Sequence, residues 1–576
     1  MRIGLGCMRL STEPDRDPAR AEQTIAAARA AGITVFDTAH AYGLGEHDLG
    51  HNERLLARAL THLPDEAKAR IVTKGGMTRV GGAWVPDGRA KAILADCEAS
   101  LNALDGLPID LYLIHAPDPR TPWRTSLRAL QKLLDDGLVK RVGLSNVNLP
   151  QLDEALALVP VAAVQVALSV YDDKALRGGV LKRCAEENIA LISHSPLGGP
   201  RRARSLARRP RLAELALAWL LELSPNVVAI PGARRPETVR SAAHAATLSL
   251  TPDDVALLEH SFAVSRPTRT KTPPRHQTGA EVVVVMGIPG AGKTRVAESF
   301  ISRDYLRLNR DERGGALREL AAALEQALAD GAPRVVLDNT YLTRAARSYV
   351  LEVAGRHGIP ARCLWLDTPL AQAQINLVQR LLDRFGALPT PEELRTLARR
   401  EPGVLAPTQQ MRAVRELEPP SPDEGFATVE IQAFARARES ERTRAGVFIA
   451  ASALQDSSWQ RAVEQADPDA PHLVFDWRPG RTPDELAPLV ELVRTAVMPD
   501  TTVEAAVCPH DAGPPRCWCR PPLPGLPLAF ASTHDVDPAR SIVIGVSPAH
   551  RTLANALGAR YVAVTQPGGH RGAERR

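Results

Sequence analysis

Short apolar runs recur along the first 265 residues, each followed by a stretch whose apolar positions return at helical spacing. The runs are RIGLGC, TVFDTA, RIVTK, LYLIHA, RVGLSN, AVQVAL, ALISHSPLG and VVAIPG. Continuous apolar runs of this length fit parallel strands buried on both faces, and the helical stretches supply the crossovers between them. Eight such units in one segment predict an α/β fold of the (β/α)8 TIM barrel type. Polar residues stand at the C-terminal ends of six consecutive strands: Asp37, Lys74, His115, Asn146, Gln165 and Ser195. Loops leave a barrel's strands at that rim, so chemistry is expected there. Capping and turn formation account for one or two polar strand ends, but not for six in a row.

The pattern breaks twice. Residues 264–280, VSRPTRTKTPPRHQTGA, cluster Pro, Thr and basic residues, the composition of an extended linker. The charged stretch RARESERTRAG at 436–446 marks a second boundary, or a solvated helix. A chain of 576 residues exceeds what one core organises, about 250–300 residues. The domains are therefore expected at 1–265, 281–436 and 444–576, with a linker at 266–280.

Composition changes this picture little. A formal charge of +5 is too small to argue for nucleic acid by itself, and the basic run RRARSLARRPR at 201–211 reads as a solvated face. Cys7, Cys97, Cys184 and Cys363 are scattered, with no disulfide framework. The N-terminus MRIGLGCMRL lacks signal-peptide architecture and the apolar runs are too short to span a bilayer, so a cytoplasmic protein with no membrane partner is expected.

The first segment joins Asp37 and Tyr42 in FDTAHAYG with Lys74 in VTKGG and His115 in LIHAPD. This set resembles the aldo-keto reductases over essentially the whole segment. The resemblance implies that Tyr42 protonates a small carbonyl substrate, an aldehyde or ketone, while a nicotinamide delivers hydride. A phenol of pKa about 10 needs a nearby cation to act at neutral pH, which Lys74 supplies, with Asp37 holding Lys74 and His115 orienting the carbonyl. The resemblance also places Ser145, Asn146 and Gln165 on the nicotinamide carboxamide, and Ser195, Leu197, Gly198 and Gly199 beside the pyrophosphate. Arg234 and Arg235 open a helix where a 2′-phosphate would lie, which favours NADPH over NADH. The sequence departs from the family at His194, where a Tyr usually stacks on the nicotinamide, and at Thr238, where an Arg is common.

In the second segment VVVVMGIPGAGKTRVAESF sets G-x-x-x-x-G-K-T between a buried strand and a helix. That context identifies a P-loop: backbone N–H groups from Gly287 through Gly290 and Gly292 cradle phosphates, Lys293 reaches the β/γ oxygens of ATP, and Thr294 ligates Mg²⁺. RLNRDE (307–312), VVLDNT (335–340) and QRLLDRFGALP (379–389) together resemble the 5′-hydroxyl polynucleotide kinases. The resemblance makes Asp311 the general base toward nucleic-acid 5′-hydroxyl ends, and Arg380 with Arg384 a phosphate-clamping lid. The family's Arg three residues beyond the base falls on Gly314, with Arg313 beside it. Asp338 helps to bind Mg²⁺ or caps the next helix. A small-metabolite kinase shares the P-loop but not the N-R-D motif or the lid spacing. A scaffold that binds ATP, NADPH and nucleic acid without turnover is the alternative of a different class.

The third segment carries Cys508, His510, Cys517 and Cys519 as C-x-H-x6-C-x-C, the spacing of a small loop closed around a metal, here a structural Zn²⁺ with four protein ligands. The loop and the unit SIVIGVSPAHRTLANALGARYVAV resemble the haloacid-dehalogenase-type (HAD-like) phosphatases of the heptose-bisphosphate and histidinol-phosphate branch. That family's catalytic positions are occupied here by Ala450, Ala451 and Ser452, by Pro521, and by Val546 and His550. A carboxylate nucleophile and metal-binding acids have no substitute in Ala or Val, so this domain is expected to be inactive. The sequence as a whole reads as a bifunctional enzyme: an NADPH-dependent reductase joined to an end-healing kinase.

Overall fold

Eight parallel strands follow one another around the first of two compact units, Met1–Arg269. They are Leu5–Gly6, Val35–Asp37, Arg70–Gly75, Ile109–Ile114, Val142–Ser145, Val161–Ala167, Ala190–His194 and Val227–Ala229. Ile3 bridges Ala229, and the Gly4 N–H donates to the Ala229 carbonyl at 2.9 Å, so the sheet curls until its first and last strands meet. The computed structural model describes residues 1–61, 69–262, 279–315, 317–434 and 442–564. Most of the expected linker at 266–280, and part of the stretch at 436–446, lie outside the described residues. No helix among the described residues is long and apolar enough to cross a membrane.

The two-residue period of the strands sorts their side chains. Val72, Leu111, Leu113, Ala163, Ile192 and Ile230 meet inside the curled sheet. Their neighbours Ile71, Tyr112, Ile114, Val164 and Leu191 belong to the large cluster under the surrounding helices. Counting two residues on from the inner positions reaches Lys74, His115, Gln165 and His194. The alternation that builds the core thus also points these polar side chains inward at the rim. An antiparallel hairpin, Met77–Val80 with Ala83–Pro86, rises from this rim. It turns on Gly81 and Gly82, whose φ of +53° and +80° suits a tight two-residue turn.

The second unit, Thr270–Arg576, holds two parallel five-stranded sheets. The first runs in the spatial order Leu306–Asn309, Arg334–Asp338, Glu281–Met286, Ala361–Asp367 and Thr428–Ala433. Val283, Val285 and Val336 pack with helix Lys293–Ile301 on one face. Val282, Val284 and Leu337 pack on the other, with helices Leu317–Ala329 and Arg344–Arg356.

The second sheet runs Val503–Cys508, His472–Trp477, Val447–Ala450, Ile542–Gly545 and Arg560–Ala563. Val447, Ile449 and Ile544 face one buried cluster. Phe448, Phe475 and Val543 face another, which also contains Leu377, Val378, Leu381 and Leu382 of helix Leu370–Phe385. That helix comes from the P-loop half of the unit, so residues 281–436 and 444–576 share one core cluster. Each of its four aliphatic side chains is worth roughly 1.5–3 kcal/mol when fully buried, enough to couple the two halves firmly.

Candidate active sites

At the rim of the curled sheet Lys74 is the hub. Its side chain is 1% exposed, and its Nζ donates to Asp37 Oδ1 and Oδ2 at 2.8 and 2.9 Å, to the Thr38 carbonyl at 2.8 Å and to the Tyr42 hydroxyl at 3.1 Å. Gln165 Nε2 donates to Asp37 Oδ1 at 2.7 Å, fixing the carboxylate from a third strand. Burial opposes the Lys74 charge, but Asp37 and Tyr42 together outweigh burial and the lysine pKa stays above its ordinary value. Burial pushes the Tyr42 phenol up and Lys74 pulls it back, leaving the group raised and protonated at neutral pH.

His115 stands edge-on to Tyr42, with ring centroids 5.6 Å apart. Burial, together with the charges of Lys74 and His194, holds its pKa well below the usual imidazole range. It is therefore neutral, and its buried Nδ1 has no hydrogen-bond partner among the described residues. The hairpin contributes Trp84, 5.9 Å from the Tyr42 ring and 6.0 Å from His115, with the Arg79 guanidinium 3.9 Å over its face. Trp84 is absent from the sequence-based set. Its signal was the Gly-Gly turn in RVGGAWV.

Tyr42, His115 and Asp37 open on a cavity of about 270 Å³ that Ser145, Asn146, Gln165, Ser195 and Leu197 also line. Asn146 donates to the His115 carbonyl at 2.9 Å and to Ser145 Oγ at 3.1 Å, and its own amide oxygen faces His194 Nε2 at 3.1 Å. Burial brings His194 down to about 4, so this imidazole is neutral and donates through Nε2. Gly198 and Gly199 both adopt left-handed backbone, and a Cβ at Gly198 would come within 2.4 Å of the Tyr171 ring. Gly199 lines the cavity, whereas Arg234 and Arg235 do not. Arg234 donates to Asp15 Oδ1 at 2.9 Å, and Arg235 is the exposed N-cap residue of helix Pro236–Ala245.

The second unit carries a cavity of about 490 Å³ where the P-loop, the N-R-D segment and the strand end at Asp338 converge. Gly287, Gly290 and Gly292 have φ of +156°, +88° and +91°. A Cβ at Gly290 would lie 2.3 Å from the Ala373 carbonyl, whereas at Gly292 it would meet open space. Lys293 and Thr294 start the helix beyond, and the Lys293 ammonium donates to the carbonyls of Gly287 and Ile288 at 3.1 and 3.0 Å. Burial, helped by Arg380, lowers Lys293 to about 8 against the pull of Asp338 and Asp311.

Asp311 lines the same cavity. Its backbone N–H donates to Asn309 Oδ1 at 2.6 Å, and Asn309 Nδ2 donates to Asp338 Oδ2 at 3.0 Å. Arg307 completes the link with a 2.6 Å bond to Asp338. Asp338 therefore anchors the N-R-D segment. It does not cap the following helix, whose N-cap is Thr343.

The two lid arginines part company. Arg380 faces the cavity, lying against Gly403, where a Cβ would be 2.9 Å from its guanidinium. Arg384 pairs with Glu401 and is not among the residues lining the P-loop cavity. Arg399 and Arg400, which the sequence-based set omits, line it instead, as do Arg310 and Asn339.

In the third segment the ligand atoms of Cys508, His510, Cys517 and Cys519 all lie within 4.8 Å of one another. Cys508 Sγ is 3.7 Å from Cys517 Sγ and 3.5 Å from His510 Nδ1, and Cys519 Sγ is 3.3 Å from the same nitrogen. A tetrahedral ion with Zn–S near 2.3 Å and Zn–N near 2.0–2.1 Å has S–S edges of about 3.8 Å and S–N edges of about 3.5 Å, so the donor set fits. Arg520 pins the loop by donating to the carbonyls of Asp511 and Gly513, and the Trp477 indole donates to the His510 carbonyl at 2.8 Å. Strand Val447–Ala450 ends without an acid, and Asp476 on the next strand is engaged by Arg478 at 2.7 Å. His550 Nδ1 accepts from the Val546 N–H at 3.2 Å.

The aldo/keto reductase family model matches residues 2–210, and an AAA domain model matches residues 282–402. A probable aldo-keto reductase 1 from Glycine max is 32% identical over 275 residues, covering 40% of this chain and 76% of that protein. Among solved structures, a glycerol dehydrogenase from Gluconobacter oxydans is 27% identical, covering 46% of this chain and 91% of its own, with a TM-score of 0.39. An aldo/keto reductase from Klebsiella pneumoniae, solved with NADP and acetate, is 24% identical, covering 46% of this chain and 92% of its own, with a TM-score of 0.37.

Proposed function

The chain belongs to the aldo/keto reductase family through its first unit, and on that premise we propose that this unit reduces an aldehyde or ketone with NADPH. The observation that carries the proposal is the run of contacts from Asp37 through Lys74 to the Tyr42 hydroxyl at the cavity wall. NADPH supplies hydride to the carbonyl carbon when bound. Tyr42 gives its phenolic proton to the carbonyl oxygen as negative charge develops there, and Lys74 stabilises the phenolate left behind. The neutral His115, which lines the cavity beside Tyr42, hydrogen-bonds the carbonyl oxygen and orients it. Ser145, Asn146 and Gln165 would hold the carboxamide end of the cofactor, and Ser195, Leu197 and Gly199, with Gly198 beside them, would take its pyrophosphate. Arg234, now paired with Asp15, and Arg235 would be the residues to hold the 2′-phosphate. NADPH consumption across a panel of aldehydes and ketones tests this, and no turnover with any carbonyl contradicts it.

For the P-loop domain the favoured reading is ATP-dependent phosphorylation of 5′-hydroxyl polynucleotide ends. It rests on Asp311 sharing a cavity with Lys293 and Thr294. Asp311 takes the proton from the 5′-hydroxyl, the new P–O bond forms to that oxygen, and the bond to the ADP leaving oxygen breaks. Thr294 would hold Mg²⁺, and Arg380, which lines the same cavity, would meet the phosphates. Arg310, Arg399 and Arg400 add positive charge beyond the P-loop, which suits an acceptor carrying phosphates of its own. Phosphorylation of 5′-hydroxyl RNA, DNA and small alcohols, measured side by side, tests the reading. Preference for a sugar or nucleoside would make this a small-metabolite kinase, and binding without turnover would make the chain a scaffold.

The cysteine loop fits one structural Zn²⁺. Four protein ligands leave no open coordination position for a water, so the metal stabilises the loop and activates nothing. The third segment is on this reading a phosphatase-like domain without phosphatase chemistry.

A further inference from the structure

The metal loop does more than close on itself. Trp518 lies between two of the ligands, Cys517 and Cys519, and is 1% exposed. Its indole Nε1 donates to the carbonyl of Leu405, 113 residues earlier in the chain, at 3.0 Å. Leu405 ends a segment whose Arg399, Arg400, Gly403 and Val404 form one wall of the P-loop cavity. Arg380 rests on this wall at Gly403, and Arg384 ties its outer side through Glu401. Immediately beyond, the fully buried Gln410 donates to the carbonyl of Pro289 in the P-loop itself, at 3.0 Å. Val404 and Trp518 belong to the same buried cluster as Cys508 and Cys517.

We infer that the Cys508/His510/Cys517/Cys519 loop, through Trp518, positions the arginine-bearing wall of the nucleotide cavity. Trp518 is a positioning residue: it touches no phosphate, but its indole fixes the carbonyl that ends the wall. A bound ion immobilises Cys517 and Cys519, and so immobilises the indole between them. Losing the ion frees the tryptophan, and Arg399, Arg400 and Arg380 lose their common backing. This also accounts for a metal cage in a domain without catalytic acids, because the cage serves the neighbouring site. The inference rests on the readings of the loop as a zinc site and of the P-loop cavity as a nucleotide site.

The test uses the full-length chain. Zinc content, ATP binding by titration calorimetry, kinase KM and kcat, and thermal melting are measured for the parent and for Trp518→Phe. Phenylalanine keeps part of the packing and removes the indole donor, so zinc content should stay near the parent while melting falls by a few degrees. Loss of this single buried hydrogen bond should weaken ATP binding about three- to tenfold. KM for ATP should rise by the same factor with kcat less affected, a split that a general loss of stability would not produce. Cys519→Ser, or zinc removal by chelation of the parent well below its melting temperature, should weaken ATP binding in the same direction. Chelation also covers the case in which Trp518→Phe fails to fold. A parent without zinc overturns the metal reading, a parent that binds no ATP overturns the nucleotide reading, and either takes this inference with it. A parent that binds both, with ATP affinity unchanged by Trp518→Phe and by zinc removal, overturns the coupling alone.

Discussion

Replacing Lys74 with Met tests whether the hub of the first unit is a compensated ion pair. The substitution keeps all but the last atom of the side chain's length and deletes its charge. Asp37, with a side chain 4% exposed, then loses contacts at 2.8 and 2.9 Å and among the described residues keeps the Gln165 amide at 2.7 Å. Stranding one partner of a buried pair costs about 3–5 kcal/mol. For a unit of this size each kcal/mol moves the melting temperature by about 2–4 °C, so the shift should be roughly 6–20 °C. Asp37→Asn in the Lys74→Met background removes the stranded charge and should restore part of the loss. The two changes should therefore couple by about 2 kcal/mol or more in a double-mutant cycle. Calorimetry of the full chain reads this from the transition that shifts upward on adding NADPH. Strictly additive effects, or a Lys74→Met chain that melts with the parent, would refute the reasoning, because Asp37 would then not depend on the ammonium.

Three further outcomes follow from the site chemistry. Burial holds His115 well below the usual imidazole range and His194 near 4, so both are neutral at neutral pH. The reductase rate at saturating substrate should show no inflection between about pH 5.5 and 7.5, and a titration near 6.5 would contradict this. Lys293, at about 8 in the free chain, must be charged to meet the phosphates, so ATP binding takes up a proton above that pH. ATP affinity should hold below pH 8 and fall as pH rises through it, approaching about tenfold per unit; an affinity flat to pH 9.5 counts against it. The chain should release no phosphate from 3′-phosphate ends or sugar phosphates, and robust Mg²⁺-dependent release that survives Asp311→Asn would reverse the reading of the third segment.

The eight strands of the first unit were legible because a strand buried on both faces must read as an apolar run, and period two then assigns its last polar residue to the inside. The same logic found the strand and turn of the P-loop. What stayed hidden depends on contacts between distant segments. Asp338 could be placed on a strand end, but its bond to Asn309 follows from sheet register, where those two residues face each other. Arg380 and Arg384 share a helix face in sequence, yet Glu401 draws the second away from the cavity and a loop brings Arg399 and Arg400 into it. Leu377, Leu381 and Leu382 are covered by the third segment, a partner that no local pattern names. Trp84 escaped because a hairpin inside a strand-to-helix connection adds nothing to the barrel's period.

The account turns most on Tyr42 as the proton donor, and the direct measurement is turnover of Tyr42→Phe. The substitution removes one hydroxyl and leaves the cavity and the Asp37–Lys74 pair in place. NADPH affinity, followed by cofactor fluorescence, should match the parent, while reduction of a good aldehyde should fall by about 10²-fold or more. Parent-like reduction by Tyr42→Phe would contradict the account at its centre.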